Sequence, residues 1–363
     1  MMRTLVCLAL LLFATSSTVA IADTAPVAVE TVADSVPTAI DQTSGPGYAL
    51  YRSVKQGSVA RTPVQPGILM MGGGDYFKAA FNWLFARGGH GHLVVLRASG
   101  EGDLNPFFLD EIGGIAAVDT LVFSAREASE NPVVLDIIKH ADVIFIAGGD
   151  QANYVNFWRG TPIQDAINAH VAAGRPLGGT SAGLAIQGAW VYGALDGGSI
   201  TAPETLADPL GPGNTLINEF LKLPHLHHVI TDSHFMQRDR LGRLIGWIAR
   251  LRADQHEPAL FGIGIDEATA LAVDGDGKAT VLSGADGNVW LVEPTASATT
   301  LAPGKPLDIA DVQVTALGPA SQFDFKSHHR ADVMAHWRVH VEAGQLQHTD
   351  WNARPASKPA SEP

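Results

Sequence analysis

The sequence predicts an α/β fold: a doubly wound, mostly parallel sheet with helices on both faces and antiparallel edge strands added near the C-terminus. Three observations carry this prediction. Short, wholly apolar runs recur along the chain, and strands apolar on both faces belong to sheets covered on both sides. Segments apolar at helical spacing separate those runs, which is the alternation of a parallel sheet. From Ala270 onward the pattern changes to short runs divided by Asp-Gly and Pro-Gly turns, as expected of antiparallel strands.

Taken in order, Ile68-Leu69-Met70-Met71 is the first strand and runs into Gly72-Gly73-Gly74. That triplet lacks the spacing of a phosphate-binding loop and reads as a tight turn. Phe77, Ala80, Phe81, Leu84 and Phe85 define one helical face, closed by Gly88-Gly89. Leu93 to Leu96, Leu121 to Phe123 and Val143 to Ile146 are the next strands. Asn131-Pro132 supplies an N-cap and first-turn pair for a helix carrying Val134, Ile137 and Ile138. Thr161-Pro162 starts a further helix that Gly174 ends, and an apolar segment ending at Leu177 follows. His228 to Asp232 and Leu260 to Ile265 complete the apolar strands, joined by a helix near Gln237 to Arg252. The edge strands are Ala270 to Val273, Thr280 to Leu282, Val289 to Val292 and Val312 to Leu317.

The ends differ in character from this middle. Arg3, the apolar run Leu5 to Ala14 and the small-residue site Ala20-Ile21-Ala22 form a secretory signal, residues 1–22, cleaved after Ala22. The run is too short to span a bilayer, so no membrane anchor is expected after cleavage. Residues 23–47 read as an exposed linker, 48–326 as the folded domain, and 327–363 as an irregular His-rich tail. Localisation in the periplasm or outside the cell follows from the signal. The only cysteine, Cys7, lies within it. The mature chain then has no disulfide, no thiolate zinc site and no cysteine nucleophile. A net charge of −13 over 363 residues argues against a nucleic-acid partner.

Chemistry gathers where these strands end, as it does in doubly wound sheets. Gly179-Thr180-Ser181-Ala182-Gly183 fits the G-x-S-x-G elbow, in which small neighbours let a serine sit on a strained strand-to-helix turn. On that pattern alone, a Gly-rich turn with an incidental serine fits as well. Asp232-Ser233-His234 and Asp266-Glu267 follow two other apolar strands. Nucleophilic catalysis by serine needs a base within hydrogen-bond reach and a third group to orient the base. Ser181, His234 and Glu267 offer one candidate for each role. Their order, serine then histidine then acid, is not that of the alpha/beta-hydrolases. His225, His227, His228 and His234 form a cluster, but without a partnered carboxylate motif they read as strand-end histidines, and neither a metal nor a cofactor is expected.

The chain order resembles the class I glutamine amidotransferase-like arrangement, with serine in place of cysteine. More specifically, the sequence resembles the cyanophycinases, serine peptidases grouped with the aspartyl dipeptidases (dipeptidase E). The resemblance rests on Ala147-Gly148-Gly149-Asp150-Gln151, Gly178 to Gly183, Asp232-Ser233-His234-Phe235 with Gln237-Arg238, Arg240-Leu241-Gly242-Arg243-Leu244, and Gly262 to Glu267. It spans about Gly67 to Phe325. It implies Ser181 as nucleophile, His234 as general base and then acid, and Glu267 as the group orienting it. Backbone N–H groups of Gly149 and Ala182 are the oxyanion-hole candidates.

The same resemblance implies substrate contacts from Gln151, Asp232, Arg238, Arg240 and Arg243. Guanidinium forks suit carboxylates, and Asp232 could pair with a substrate arginine. For Arg240 a solvated helix face is an equal reading, and for Asp232 the alternative is a strand-end cap. Cyanophycin is a poly-aspartate carrying arginine on each β-carboxyl, and the family releases β-Asp-Arg dipeptides. Members are often homodimers. Where the family carries glutamine between the aspartate and the histidine, this chain has Ser233, which puts the side-chain pocket in doubt. Cyanophycinase, aspartyl dipeptidase and a catalytically silent peptide-binding protein all stay open.

Overall fold

The computed structural model describes residues 38–347. The signal at 1–22, most of the linker and the last residues of the tail lie outside the described residues.

Five parallel strands form the middle of a first sheet, in the order Ala117–Phe123, His92–Arg97, Val143–Ile146, Leu177–Thr180, Gly67–Met71. Successive side chains point to opposite faces, and both faces are buried. Ile68, Met70, Val94, Leu96, Ile144 and Ile146 pack into one core with Val134, Ile138, Tyr154 and Trp158 from helices Pro132–His140 and Gln151–Trp158. Leu69, Met71, Leu93, Val95, Val143 and Phe145 pack into another with Phe81, Leu84 and Phe85 of helix Lys78–Arg87. Antiparallel strands extend this sheet on both sides: Tyr48–Val54 pairs with Ala117–Phe123, and Thr269–Asp274 pairs with Gly67–Met71.

The remaining strands form a second sheet, where one undivided sheet was expected. Val229–Asp232 lies parallel to Phe261–Ile265 and to Trp190–Tyr192, and antiparallel strands Val289–Pro294, Asp308–Leu317 and Ala335–Glu342 continue it. Its inner face (Val229, Phe261, Ile263, Ile265, Leu291) joins the first core, while Ile230, Trp290, Val292 and Val314 meet the long helix Leu241–Gln255. The chain crosses from the second sheet to the first at Asp266–Ala268, where Ala268 takes φ +50°. The chain also passes from the first sheet to the second between Leu177–Thr180 and Trp190–Tyr192, which divides the parallel strands between two sheets.

Two stretches expected to be irregular are strands. Within the expected linker, Asp41–Gly45 pairs with Tyr48–Val54 through a turn containing Gly47 at φ +73°. Within the expected tail, Ala335–Glu342 alternates faces, with Val339 and Val341 buried and His336, Arg338, His340 and Glu342 turned outward. The histidines obscure a plain period of two. Among the described residues, no helix is long and apolar enough to cross a membrane.

Candidate active site

The strand Leu177–Thr180 ends at Ser181, which takes φ +53° and ψ −113° before the short helix Ala182–Ala185. Such a conformation is costly for a residue with a side chain and persists only where the surroundings hold it. Here the holding is tight. The Ser181 N–H donates to Met71 O at 3.1 Å. A Cβ at Gly183 would sit 2.1 Å from Ile146 O, so only glycine lets the helix approach the neighbouring strand this closely.

The strand Val229–Asp232 delivers His234, which is also strained at φ +43°. Its Nε2 lies 2.7 Å from Ser181 Oγ and its Nδ1 2.5 Å from Glu267 Oε1. With Nδ1–H donated to Glu267, Nε2 accepts the Ser181 hydroxyl proton. Burial lowers the His234 pKa below the ordinary imidazole value; the Glu267 hydrogen bond opposes this and the Arg238 charge adds to it. The imidazole is therefore neutral, and able to accept a proton, at pH 7.

Residues to which the sequence argument gives no catalytic role set this geometry. Three consecutive carbonyls pin the three segments together: Met71 O accepts from Ser181 N, Gly72 O from His234 N at 2.7 Å, and Gly73 O from Ala268 N at 2.8 Å. The imidazole lies against Gly73, where a Cβ would come within 2.5 Å of the ring. Behind Glu267, the buried Asp266 accepts from Met236 N, Asn288 N and the Trp290 indole N–H, fixing the corner between the sheets. Gln237 Oε1 accepts from Glu267 N at 3.1 Å. The glycine triplet was legible as a turn, but its contact with the histidine depends on pairing across distant segments.

Ser181 and His234 open onto a cavity of about 480 Å³, which Gly149, Ala182, Gln151, Arg238 and Arg240 also line. Ala182 opens its helix, so its N–H belongs to the first turn, which has no intrahelical acceptor. Gln151 begins the helix Gln151–Trp158, which Asp150 caps by accepting from Ala152 N. Arg238 is exposed at the rim.

Asp232 and Arg243 stand elsewhere, which corrects the expectation that they contact substrate. Each side chain is 2% exposed, and they form a bidentate pair, Nε to Oδ2 at 2.7 Å and Nη2 to Oδ1 at 2.6 Å. Arg243 also donates to Ser199 Oγ and Ile200 O, and its guanidinium lies over the Trp247 ring at 4.8 Å. Asp232 is thus fully engaged within the protein and is not on offer to a substrate arginine. Arg240 is shared. Its Nη1 donates to Asp232 Oδ1, Ser233 O and Ser233 Oγ, while one side of it borders the cavity. It is a buried wall residue, not part of a solvated helix face.

His225 is held to Gly275 O and His228 to Glu257, apart from His234. Among the described residues no group of three or more His, Cys, Asp or Glu could hold a metal ion.

Comparison with known proteins places this site in context. The model of peptidase family S51 matches residues 111–281, which include Ser181, His234 and Glu267. A cyanophycinase of Trichormus variabilis is 32% identical over 215 residues, 58% of this chain and 66% of that protein. One from Synechococcus elongatus is 31% identical over 59% of this chain and 62% of that protein. One from Geminocystis herdmanii is 29% identical over 62% and 78% respectively. The matched region thus spans just under two thirds of the first two relatives. The crystal structure of a peptidase from an acI-B1 Actinobacterium is 19% identical, covering 72% of this chain and 97% of that one, with a TM-score of 0.46. By the family model and these relatives, the chain is similar to peptidase family S51 across the region that carries Ser181, His234 and Glu267.

Proposed function

We propose that the protein is a cyanophycinase-like serine exopeptidase that hydrolyses aspartyl peptide bonds through an acyl-enzyme. The observation that carries this reading is the hydrogen-bonded line Ser181–His234–Glu267, 2.7 and 2.5 Å between partners, with Ser181 and His234 lining a cavity. Ser181 Oγ attacks the scissile carbonyl carbon while His234 Nε2 takes its proton, and Glu267 stabilises the imidazolium. The N–H groups of Gly149 and Ala182 receive the oxyanion. Collapse of the tetrahedral intermediate breaks the C–N bond, and His234 returns the proton to the leaving amine. Water, deprotonated by the same histidine, then releases the acyl group. Arg238, and the face of Arg240 that borders the cavity, supply cationic groups for substrate carboxylates, and Gln151 supplies an amide.

Ser233 favours a second reading within the same chemistry, an aspartyl dipeptidase of the dipeptidase E type. Its short side chain and its carbonyl both accept from Arg240, so the wall beside His234 differs from one built with glutamine. A catalytically silent peptide-binding member is the reading from another class. The chain order and parallel strands support a class I glutamine amidotransferase-like arrangement. Arg3, the apolar run Leu5 to Ala14 and Ala20-Ile21-Ala22 support export to the periplasm or beyond, which N-terminal sequencing of the exported protein tests.

Incubation with cyanophycin granules, and separately with β-Asp-X and Asp-X dipeptides, tests the catalytic reading. Soluble β-Asp-Arg release supports the first proposal, and cleavage of Asp-X dipeptides alone the second. Ser181→Ala abolishes turnover in either case, whereas undiminished hydrolysis by that variant removes Ser181 as nucleophile.

A further inference from the structure

Tyr154 is a buried hydroxyl to which the catalytic steps above give no role. It lies on the helix Gln151–Trp158, fully buried and stacked on Trp158 with ring centroids 4.5 Å apart. Its single hydroxyl proton is shared between Ala147 O at 2.8 Å and Gly148 O at 3.1 Å. Burial raises its pKa far above the usual phenol value, so it is a permanent donor.

The second of these contacts bears on the oxyanion hole. A trans peptide holds its C=O and N–H pointing in opposite directions. With the Gly148 carbonyl turned to the buried hydroxyl, the Gly149 N–H is turned the other way, and Gly149 and Ser181 both line the cavity. The peptide needs such a hold. Gly149 has φ +145°, open to glycine and strained for other residues, so the local backbone itself resists rotation weakly. A flip would present the Gly148 carbonyl oxygen to the site, and a carbonyl repels the oxyanion that an N–H would bind.

We propose that Tyr154 is a positioning residue that holds the Gly148–Gly149 peptide with its N–H directed at the developing oxyanion. This rests on the serine-peptidase reading above. Tyr154→Phe keeps the ring and its stacking and removes only the hydroxyl. One oxyanion donor is worth on the order of a hundred- to a thousand-fold in rate. Partial loss of its orientation should therefore lower kcat about ten- to a hundred-fold. KM should stay within about twofold, and the acid limb of the pH profile should not move, because the Ser181–His234 pair is untouched. Inhibition by phenylboronic acid, whose adduct on serine places a negatively charged oxygen in the same hole, should weaken by a similar factor. A kcat within about twofold of the parent, or a change in KM alone, overturns the proposal. Ser181→Ala assayed in parallel separates the two levels: if it remains active, the reading beneath the proposal fails instead. Should Tyr154→Phe not fold, a crystal structure of the parent protein with phenylboronic acid decides. The expected result is a boronate oxygen on Gly149 N–H with Tyr154 on Gly148 O. A Gly148 carbonyl facing the cavity contradicts it.

Discussion

Two charged constellations grow from the end of one strand, Val229–Asp232, and they are built in opposite ways. Asp232 enters a network with Arg240 and Arg243 in which the Asp232 and Arg243 side chains are each 2% exposed and hydrogen-bonded within the protein. Two residues later, His234 joins Ser181 and Glu267, where Glu267 is 37% exposed and both Ser181 and His234 carry strained backbones. The first arrangement leaves a ligand no more than the side of Arg240 that borders the cavity. The second holds a proton between groups that can exchange it and opens onto a cavity. The difference shows that charge at a strand end is not itself a site. What makes one is incomplete satisfaction, held in place by neighbours that tolerate the strain.

The largest expected effect is on the strained constellation. Ser181→Ala should cut kcat by up to about a million-fold, the scale seen when a triad nucleophile is removed, with little change in thermal stability. Glu267→Gln should follow, with kcat lower by about a thousand- to ten-thousand-fold, because the amide no longer fixes Nδ1–H as donor. Steady-state kinetics on one aspartyl peptide checks both.

The buried constellation should respond in stability. Asp232→Ala leaves two buried guanidiniums without their carboxylate, and breaking a buried pair from one side costs about 3–5 kcal/mol. Urea denaturation measures this. A variant as stable as the parent would return Asp232 to the list of substrate contacts.

The smallest effect sharpens the comparison through pH. Neutral His234 is the active base, so activity falls as pH drops through its pKa. Arg238 lowers that pKa and Glu267 raises it. Arg238→Ala should therefore move the acid limb of kcat/KM to higher pH, and the residual activity of Glu267→Gln should show it at lower pH. Shifts of the same sign in both variants would contradict the assignment of charges around the imidazole.

The contrast between the two constellations also marks where sequence reading stops. Ser181, His234 and Glu267 are legible because each follows a short apolar run, and the serine lies in a spacing whose glycines have a steric reason. Most strands are legible for the same reason, down to Thr269–Asp274 and Val289–Pro294. The division into two sheets is not, since it depends on pairings between distant segments. Nor is the burial of Arg243. The family resemblance implies a substrate contact for it, whereas Trp247 one turn along its own helix, with Tyr192 and Ser199 from other parts of the chain, encloses it. Gly73, against which His234 rests, is visible in sequence only as part of a turn.

The central claim is that Ser181, activated by His234, forms a covalent intermediate. Intact-mass analysis after treatment with a fluorophosphonate tests it most directly. The account predicts a single adduct on Ser181, formed with loss of peptidase activity and absent from both Ser181→Ala and His234→Ala. An adduct on another residue, or full peptidase activity in protein stoichiometrically labelled at Ser181, would contradict it.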